Sequence, residues 1–293
     1  MGSEIRRMIQ LEEKSAPTGP AARAVSHWSG SAREQAVQRM FTAIAGWYDL
    51  NNTLLSFGLH HRWKRRVVEY VTAPLAGACG VRSGDTTRTP FGQDLTAKEA
   101  SGGAEPRYVL DVGAGTADLA LLVEPKMGPG GRVIASDLNH AMLVEGLKKI
   151  VRHGHAQRIT CLEANAEHLG FADASFDAVT TGFCMRNVGN LAAAFAEIRR
   201  VLKPGGRFVC LEFSRPVYGW LRSLYDWYSF RLLPWIGTKV ARDKTGVYEY
   251  LPASIRTFPN QEGLKALLLK AGFSQVDYHN LSGGIVAIHV AVK

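Results

Sequence analysis

The sequence predicts an α/β fold with a mostly parallel sheet and an antiparallel hairpin at its carboxyl end. Short apolar segments alternate with helix-period segments between residues 107 and 214, as in successive parallel β–α units. The strand segments are near-continuous apolar runs, which is typical of strands covered by helices on both faces. The last two strand segments are joined only by Ser282-Gly283-Gly284, which indicates a hairpin-like connection. We expect a single domain over residues 30–293.

Two helices are predicted ahead of the sheet, after a flexible segment over residues 1–29 that lacks hydrophobic periodicity. The first begins at Ser31 and has one apolar face, made of Val37, Met40, Phe41, Ile44 and Tyr48. The second runs from about His60 until Pro74 ends it. Between them, residues 48–63 combine a phenol, a carboxylate, amides, two histidines and a tryptophan. We interpret that segment as a helical corner, and residues 30–73 together as a lid over the sheet edge.

A long polar segment separates this lid from the sheet. Residues 74–106 have no hydrophobic period and are longer than an ordinary connection, so we predict a disordered insert. Strands are then predicted at residues 107–112, 131–137, 158–163, 176–183, 206–214, 274–281 and 285–293. Helices are predicted after the first and the second of these strands, and at residues 191–202 and 261–270.

The composition fits a compact globular protein and argues against several classes. The chain has 293 residues, of which 46% are hydrophobic and 21% charged, and a formal net charge of +9. No apolar run approaches the roughly 18 residues that a membrane-spanning helix needs. The cysteines are scattered without paired spacing, which argues against a zinc site or a disulfide framework and for a reducing cytoplasmic compartment. We expect neither a bound metal nor a nucleic-acid partner.

A glycine-rich turn after the first strand of the sheet indicates a cofactor site. Asp111 ends the strand, and Gly113 and Gly115 let the backbone approach a ligand just before the next helix. Asp137, at the end of the following strand, is placed to bind the two hydroxyls of a ribose. This spacing fits both a nicotinamide dinucleotide and S-adenosylmethionine. Asp118 favours the second, because a carboxylate directed at a pyrophosphate would be repelled.

Two signatures resemble those of the ubiquinone/menaquinone biosynthesis C-methyltransferases, within the class I S-adenosylmethionine-dependent methyltransferase fold. The first is a set of side chains in the family's order and spacing: Tyr48, Asp49, Asn52, Ser56, His60 and Trp63. The second is "RVLKPGGRFVCLEFS" at residues 200–214. The resemblance covers residues 37–293, interrupted by the polar insert. It implies a Rossmann-like, mostly parallel sheet of seven strands, S-adenosylmethionine as the methyl donor and no metal.

The same resemblance implies where the methyl donor binds. The donor should contact Thr116 in the glycine loop, Asp137 through its ribose and Asn165-Ala166 beside its adenine. The family often has serine where this chain has Gly182, so that contact would pass to the backbone. Further contacts are expected at Asp111, Gly113 and Gly115.

The implied reaction moves a methyl group from a sulfonium to a ring carbon of a reduced, prenylated quinone precursor. A ring carbon is a poor nucleophile until a hydroquinone hydroxyl loses its proton. We expect Arg186 to stabilise the phenolate and Asn187 to orient the ring. A water relay or His60 would receive the proton, since a guanidinium pKa above about 12 argues against Arg186 as a direct base. Tyr48 and Asp49 are expected to face the substrate or the donor.

Demethylmenaquinol is the acceptor that we expect, because residues 41–63 resemble bacterial menaquinone-type members of the family. The benzoquinol precursor of ubiquinone and another lipid or aromatic acceptor are alternatives. Two further alternatives are a nicotinamide-dependent oxidoreductase, which Asp118 disfavours, and a non-catalytic scaffold in a quinone-synthesis assembly.

Residues 218–235 concentrate aromatic and leucine side chains. This composition suits a channel for the isoprenoid tail, a membrane-docking face or simple core packing. Basic residues nearby would attract an anionic membrane, unless they only form solvated helix faces: Arg222, Arg231, Lys239, Arg242 and Lys244. We therefore expect a cytoplasmic protein with peripheral contact at the inner face of a membrane. A homodimer is also compatible with the sequence.

Overall fold

The computed structural model describes residues 30–73, 108–235 and 246–293. The predictions of a flexible segment over residues 1–29 and of a disordered insert over residues 74–106 lie outside these ranges. Lys239, Arg242 and Lys244 lie outside them as well. Within the three described ranges, no helix combines the length and the apolar composition needed to cross a membrane.

Helices and strands alternate through most of the described chain. The helices are α1 (Gly30–Ile44), α2 (Tyr48–Leu55), α3 (Leu59–Thr72), α4 (Asp118–Val123), α5 (His140–Arg152), α6 (Leu191–Val201), α7 (Gly219–Trp227), α8 (Leu233–Trp235), α9 (Val247–Thr257) and α10 (Gln261–Lys270). The strands are β1 (Tyr108–Val112), β2 (Arg132–Asp137), β3 (Ile159–Glu163), β4 (Phe176–Gly182), β5 (Leu202–Phe213), β6 (Gln275–Leu281) and β7 (Val286–Val292).

The strands form one seven-stranded sheet in the order β3-β2-β1-β4-β5-β7-β6. The pairs among β1 to β5 are parallel, whereas β7 pairs antiparallel with both β5 and β6. The predicted fold class is confirmed. Because the strand order reverses between β1 and β4, a crevice opens there at the carboxyl ends of the strands, where such sheets bind their ligands.

Apolar side chains on both faces of the sheet form two cores. Successive strand residues alternate between them: Val109 and Ala178 face one core, and Leu110 and Val179 face the other. Helices α3 and α4 cover the first face, and α6 and α10 cover the second. This double cover explains why the strands appear in the sequence as near-continuous apolar runs.

The structure corrects the predicted helical corner. After Ile44 the chain passes through a 3₁₀ turn, Ala45–Trp47, directly into α2, so most of residues 48–63 are helical. The turn itself is shorter and ends at Gly58, whose φ of +74° precedes α3. The run Asn51-Asn52-Thr53 concealed this helix, because all three residue types have low helix propensity.

Helices α7, α8 and α9 are not predicted from the sequence. A π-helical turn, Tyr228–Leu232, connects α7 to α8. Aromatic residues favour helices only weakly, and Pro252 lies inside α9, where proline is disfavoured. Contacts with the rest of the protein hold these residues in place. Tyr228 Oη donates to the Leu55 carbonyl oxygen at 3.0 Å, which joins the π-helical turn to α2.

Close packing at the end of β1 constrains the glycine-rich turn. Gly113 has a φ of +65°, and a Cβ at this position would lie 2.1 Å from Cys184 Sγ. Only glycine satisfies both conditions. The sequence suggests that Gly113 opens the backbone to a ligand, and the structure shows in addition that Cys184 occupies the space that a side chain would fill.

Gly113→Ala should lower the free energy of unfolding by about 2–4 kcal/mol, because alanine must adopt a left-handed backbone and displace Cys184. The matched control is Gly154→Ala, where φ is +78° but no atom lies within 4 Å of the added Cβ. That variant should lose only about 1 kcal/mol. Chemical denaturation measures both values. Equal losses would contradict a role for Cys184 packing.

Candidate active site

Two cavities open side by side at the carboxyl edge of the sheet, next to α1 and α2. The first lies over the ends of β1, β2 and β4, and the second lies between α1–α3 and α7–α9. Phe41, Tyr48 and Phe183 line both cavities and form their shared wall. Phe183 has a φ of +60°, an uncommon conformation for an aromatic residue that costs about 1–3 kcal/mol and is typical of functional sites. Molecules in the two cavities would meet at this wall.

The first cavity contains most of the predicted cofactor residues. Its wall includes Gly113, Gly115, Asp137, Asn165, Ala166 and Gly182. Gly115 has a φ of +56°, and a Cβ there would lie 3.2 Å from Met142 Cε. A Cβ at Gly182 would lie 2.9 Å from Leu119 Cδ1, so serine at that position would require Leu119 to move.

The Asp137 carboxylate is held by backbone groups at the end of β2. The Gly115 N–H donates to Oδ2 and the Asn139 N–H donates to Oδ1, each at 2.8 Å. Burial raises the pKa of Asp137 above its ordinary value, although the two N–H groups favour the ionised form. Each carboxylate oxygen keeps a further lone pair. Asp137 therefore offers the cavity an oriented acceptor for ligand hydroxyls.

Asp111 and Thr116, both predicted to contact a cofactor, do not line the first cavity. Asp111 is buried, its Oδ1 accepts a hydrogen bond from Thr180 Oγ1 at 2.9 Å, and burial raises its pKa to about 7. Thr116 is also buried, and its hydroxyl donates to Asp49 Oδ1 at 2.6 Å. In this arrangement Asp111 joins β1 to β4, and Thr116 joins the glycine-rich turn to α2.

Asp49, expected to face the substrate or the donor, lines neither cavity and instead joins α2 to the glycine-rich turn. Besides the bond from Thr116, its Oδ2 pairs with Lys149 Nζ at 2.7 Å. Lys149 also pairs with Asp118, and Asp118 Oδ2 lies 2.7 Å from Lys64 Nζ. Two lysines and two aspartates thereby connect α2, α3, α4 and α5. We call this set the lysine–aspartate network.

The network corrects the inference drawn from Asp118. The Asp118 carboxylate faces Lys64 and Lys149 and does not line the first cavity, so it would not repel a pyrophosphate there. Burial alone would raise the pKa of Asp118, but Lys64 and Lys149 hold it well below its usual range. The choice of S-adenosylmethionine over a dinucleotide therefore depends on other evidence.

The second cavity is apolar and has a volume of about 360 Å³, a size typical of small-molecule sites. Trp63 closes one side of it and is itself buried. The Trp63 ring meets Phe183 and Phe213 edge-on, at centroid distances of 6.1 and 6.3 Å. Its indole Nε1 donates to Ser282 Oγ at 3.0 Å, which fixes the ring orientation. An apolar ligand in this cavity would be shielded from water on that side.

Arg186 lines the second cavity and is paired with the buried Glu212. Arg186 Nη1 lies 3.1 Å from Glu212 Oε2 and also donates to the Phe183 carbonyl. Glu212 further accepts from the backbone N–H groups of Arg186 and Phe213. Burial lowers the pKa of Arg186, but the negative charge of Glu212 raises it by more, so the pKa of Arg186 stays above its ordinary value. The guanidinium is therefore a fixed positive charge at an apolar wall.

Glu212 is a site residue that the sequence analysis missed. Its side chain is 1% exposed, within the apolar strand β5. Carboxylates are almost never buried to this extent unless they are paired. A glutamate inside the apolar run of residues 208–213 is therefore a signal that could have identified it.

Asn187 has a different position from the predicted one. It lines the first cavity rather than the apolar one, and its Oδ1 accepts a hydrogen bond from Tyr250 Oη at 2.8 Å. Tyr250 lines the second cavity. The pair thus connects the walls of the two cavities, because Asn187 contacts the wall of the second cavity through Tyr250.

His60 contributes a neutral imidazole to the second cavity. It is 3% exposed, and its Nδ1 lies 2.8 Å from Ser56 Oγ. Burial, reinforced by Lys64 and His61, lowers its pKa to about 4. A base with this pKa is uncharged at neutral pH but weak. That His60 receives a proton from the substrate stays a prediction.

The low pKa of His60 predicts a loss of stability as the pH falls from 6.5 to about 4, because the unfolded chain binds a proton there that the folded chain does not. His60→Gln should remove up to about 3 kcal/mol of this decline. His153→Gln, at an exposed position, is the control. Urea unfolding at a series of pH values measures the effect. Parallel curves for the wild type and His60→Gln would show that the assignment is wrong.

Comparisons with known proteins identify the family. The sequence model of the ubiE/COQ5 methyltransferase family matches residues 29–88 and 91–293. A relative from Legionella pneumophila (strain Lens), named ubiquinone/menaquinone biosynthesis C-methyltransferase UbiE, is 41% identical over 261 residues, which cover 89% of this chain and 92% of the relative. A relative of the same name from Proteus mirabilis (strain HI4320) is 40% identical with the same coverage.

A solved structure supports the fold independently. It is an S-adenosylmethionine-dependent methyltransferase from Thermotoga maritima, described as a possible histamine N-methyltransferase, with a TM-score of 0.54 and 17% identity. The alignment covers 87% of this chain and 98% of that one, and at this identity it concerns the fold alone. With nearly the whole chain matched by one family model and by named relatives, the protein belongs to the ubiE/COQ5 methyltransferase family.

Proposed function

We propose that this methyltransferase transfers a methyl group from S-adenosylmethionine to a ring carbon of a prenylated quinol, with demethylmenaquinol as the preferred acceptor. The main support is the pair of adjoining cavities, one with Asp137 at the sheet edge and one apolar with Arg186 on its wall. Tyr48 and Phe183 lie between them, so a donor and an aromatic acceptor would meet there. The names of the two relatives support the same class of reaction.

The polar groups that line the first cavity suit the methyl donor. Asp137 would accept hydrogen bonds from the ribose hydroxyls, and Asn165 and Ala166 line the wall expected beside the adenine. Because Gly115 has no Cβ, the space between its backbone and Met142 stays wide enough for a ligand to approach. When bound here, the donor supplies an electrophilic methyl group on its sulfonium. The cavity walls would hold the donor so that the reactive group lies at the shared wall, because alignment supplies much of the rate of such transfers.

The second cavity would prepare the acceptor. Arg186 is positively charged and held by Glu212, so it favours the phenolate form of a quinol hydroxyl in apolar surroundings. Lowering the pKa of the hydroxyl in this way allows a weak proton acceptor to suffice, either water or the neutral His60. The aromatic walls, among them Trp63 and Phe213, exclude bulk water and suit the isoprenoid tail.

Purified protein, labelled methyl donor and each reduced acceptor, supplied side by side, test the choice of substrate. We expect faster methylation of demethylmenaquinol than of the benzoquinol precursor of ubiquinone, because residues 41–63, which contribute to the second cavity, resemble the menaquinone-type members. Label in the extracted quinone measures turnover. A preference for the benzoquinol would reverse the choice of acceptor, and turnover of neither quinol would contradict the proposed function.

Arg186→Ala should lower kcat by about 10²–10³-fold, because the phenolate loses its stabilising charge. Donor affinity, measured by calorimetry, should change little, since Arg186 does not line the first cavity. Unaltered turnover would remove Arg186 from the mechanism.

Two further variants control for a folding defect in Arg186→Ala, which leaves Glu212 buried without its cation. The double variant Arg186→Ala with Glu212→Gln removes both charges and should stay as slow as the single variant. Arg207→Met removes another buried arginine, which donates to the Tyr70 carbonyl and lines neither cavity. It should keep normal turnover per folded molecule.

A further inference from the structure

Two exposed apolar stripes flank the second cavity. One lies on the outer side of α2 and the turn before it, and consists of Trp47, Leu50 and Leu54. The other lies on α7 and consists of Trp220, Leu224 and Trp227. All six side chains are between 50% and 70% exposed. Their spacing of three and four residues places each set on one side of its helix. We call the two stripes the docking face.

The two helices that carry the docking face meet at Phe57. This side chain is 79% exposed, and its ring centroid lies 6.0 Å from that of Tyr228. Phe57, Leu224 and Trp227 also line the second cavity. The exposed apolar surface is therefore continuous with the interior of the cavity. An apolar molecule could pass from this surface into the cavity without crossing water.

The charges around the docking face are complementary to an anionic surface. Exposed arginines lie on α7 and on the elements that follow α2 and α7 in the chain: Arg62 on α3, Arg222 on α7 and Arg231 in the π-helical turn. The acidic side chains of α2, α3 and α7 are each in an ion pair: Asp49 with Lys149, Glu69 with Arg66 and Asp226 with Arg256. Arginines next to exposed tryptophans suit the interface of a membrane, where tryptophan is enriched and each basic residue contributes about 1 kcal/mol.

We propose that the docking face binds the surface of an anionic lipid bilayer, with its tryptophans and leucines at the boundary between headgroups and acyl chains. The acceptor would then enter the second cavity from the bilayer through the opening beside Phe57. The identity of that acceptor rests on the proposed function, whereas binding to lipid does not.

Sedimentation of the full chain with vesicles tests the proposal. Vesicles of phosphatidylcholine mixed with phosphatidylglycerol should bind the wild type more tightly than vesicles of phosphatidylcholine alone. Leu54→Glu and Trp220→Glu should each weaken binding at least about tenfold, because each places a carboxylate where an apolar side chain would be buried in lipid. Neither residue lines the first or the second cavity, so donor binding and turnover of a short-tailed quinol should persist.

The matched control is Leu269→Glu on α10, which replaces a leucine that is 45% exposed, on a helix that packs against the second core and does not line the second cavity. It should bind vesicles as the wild type does. Failure of the wild type to bind vesicles, or undiminished binding by both docking-face variants, would overturn the proposal. A change in molecular mass by light scattering, with vesicle binding unchanged, would assign the face to protein–protein contact and overturn it as well. Selective loss of vesicle binding without turnover of any quinol would support docking while contradicting the proposed function.

Discussion

Asp118 lies between Lys64 and Lys149, and Lys149 pairs in turn with Asp49 of α2. Exposed ion pairs contribute little to stability, but removing one partner of a buried pair leaves an uncompensated charge and costs several kcal/mol. Lys64 and Asp118 are largely shielded from water, so they form a buried pair, and removing either partner would be costly. Both cavities have walls from α1 and α2 on one side and from the sheet edge on the other. Their shapes therefore depend on this network, which joins α2 to the glycine-rich turn.

The two cavities contain charged side chains of opposite sign. In the first, backbone N–H groups hold the Asp137 carboxylate in place, and the cavity presents an acceptor. In the second, an otherwise apolar wall contains Arg186, whose charge is maintained by the buried Glu212. Burying such a pair in place of apolar residues often yields no stability, so packing alone does not explain its presence. A preorganised cation in a water-poor cavity does have a chemical use, because it stabilises negative charge that develops on a bound ring.

Much of the fold could be predicted because its signals are local. Each parallel strand is an apolar run next to its helix, and the glycine-rich turn and Asp137 belong to adjacent β–α units. The errors concern contacts that the sequence order conceals. Lys64 lies 54 residues from Asp118, and Trp63 lies 219 residues from its partner Ser282. Asp49 and Thr116 were each expected to contact a ligand, but in the structure they bond to each other. Helix α7 contains Leu221, Arg222 and Leu224, but its other six residues have weak helix propensity, so local preference alone did not predict it.

The contact between Gly113 and Cys184 also has a chemical consequence. Cys184 lines the first cavity, where an electrophilic methyl group would be bound, and thiolates react readily with such groups. Burial, together with the nearby carboxylates of Asp137 and Glu212, raises the pKa of the Cys184 thiol far above its ordinary value. The sulfur therefore stays protonated and is a poor nucleophile at neutral pH. A thiol in this state reacts only slowly with an alkylating ligand.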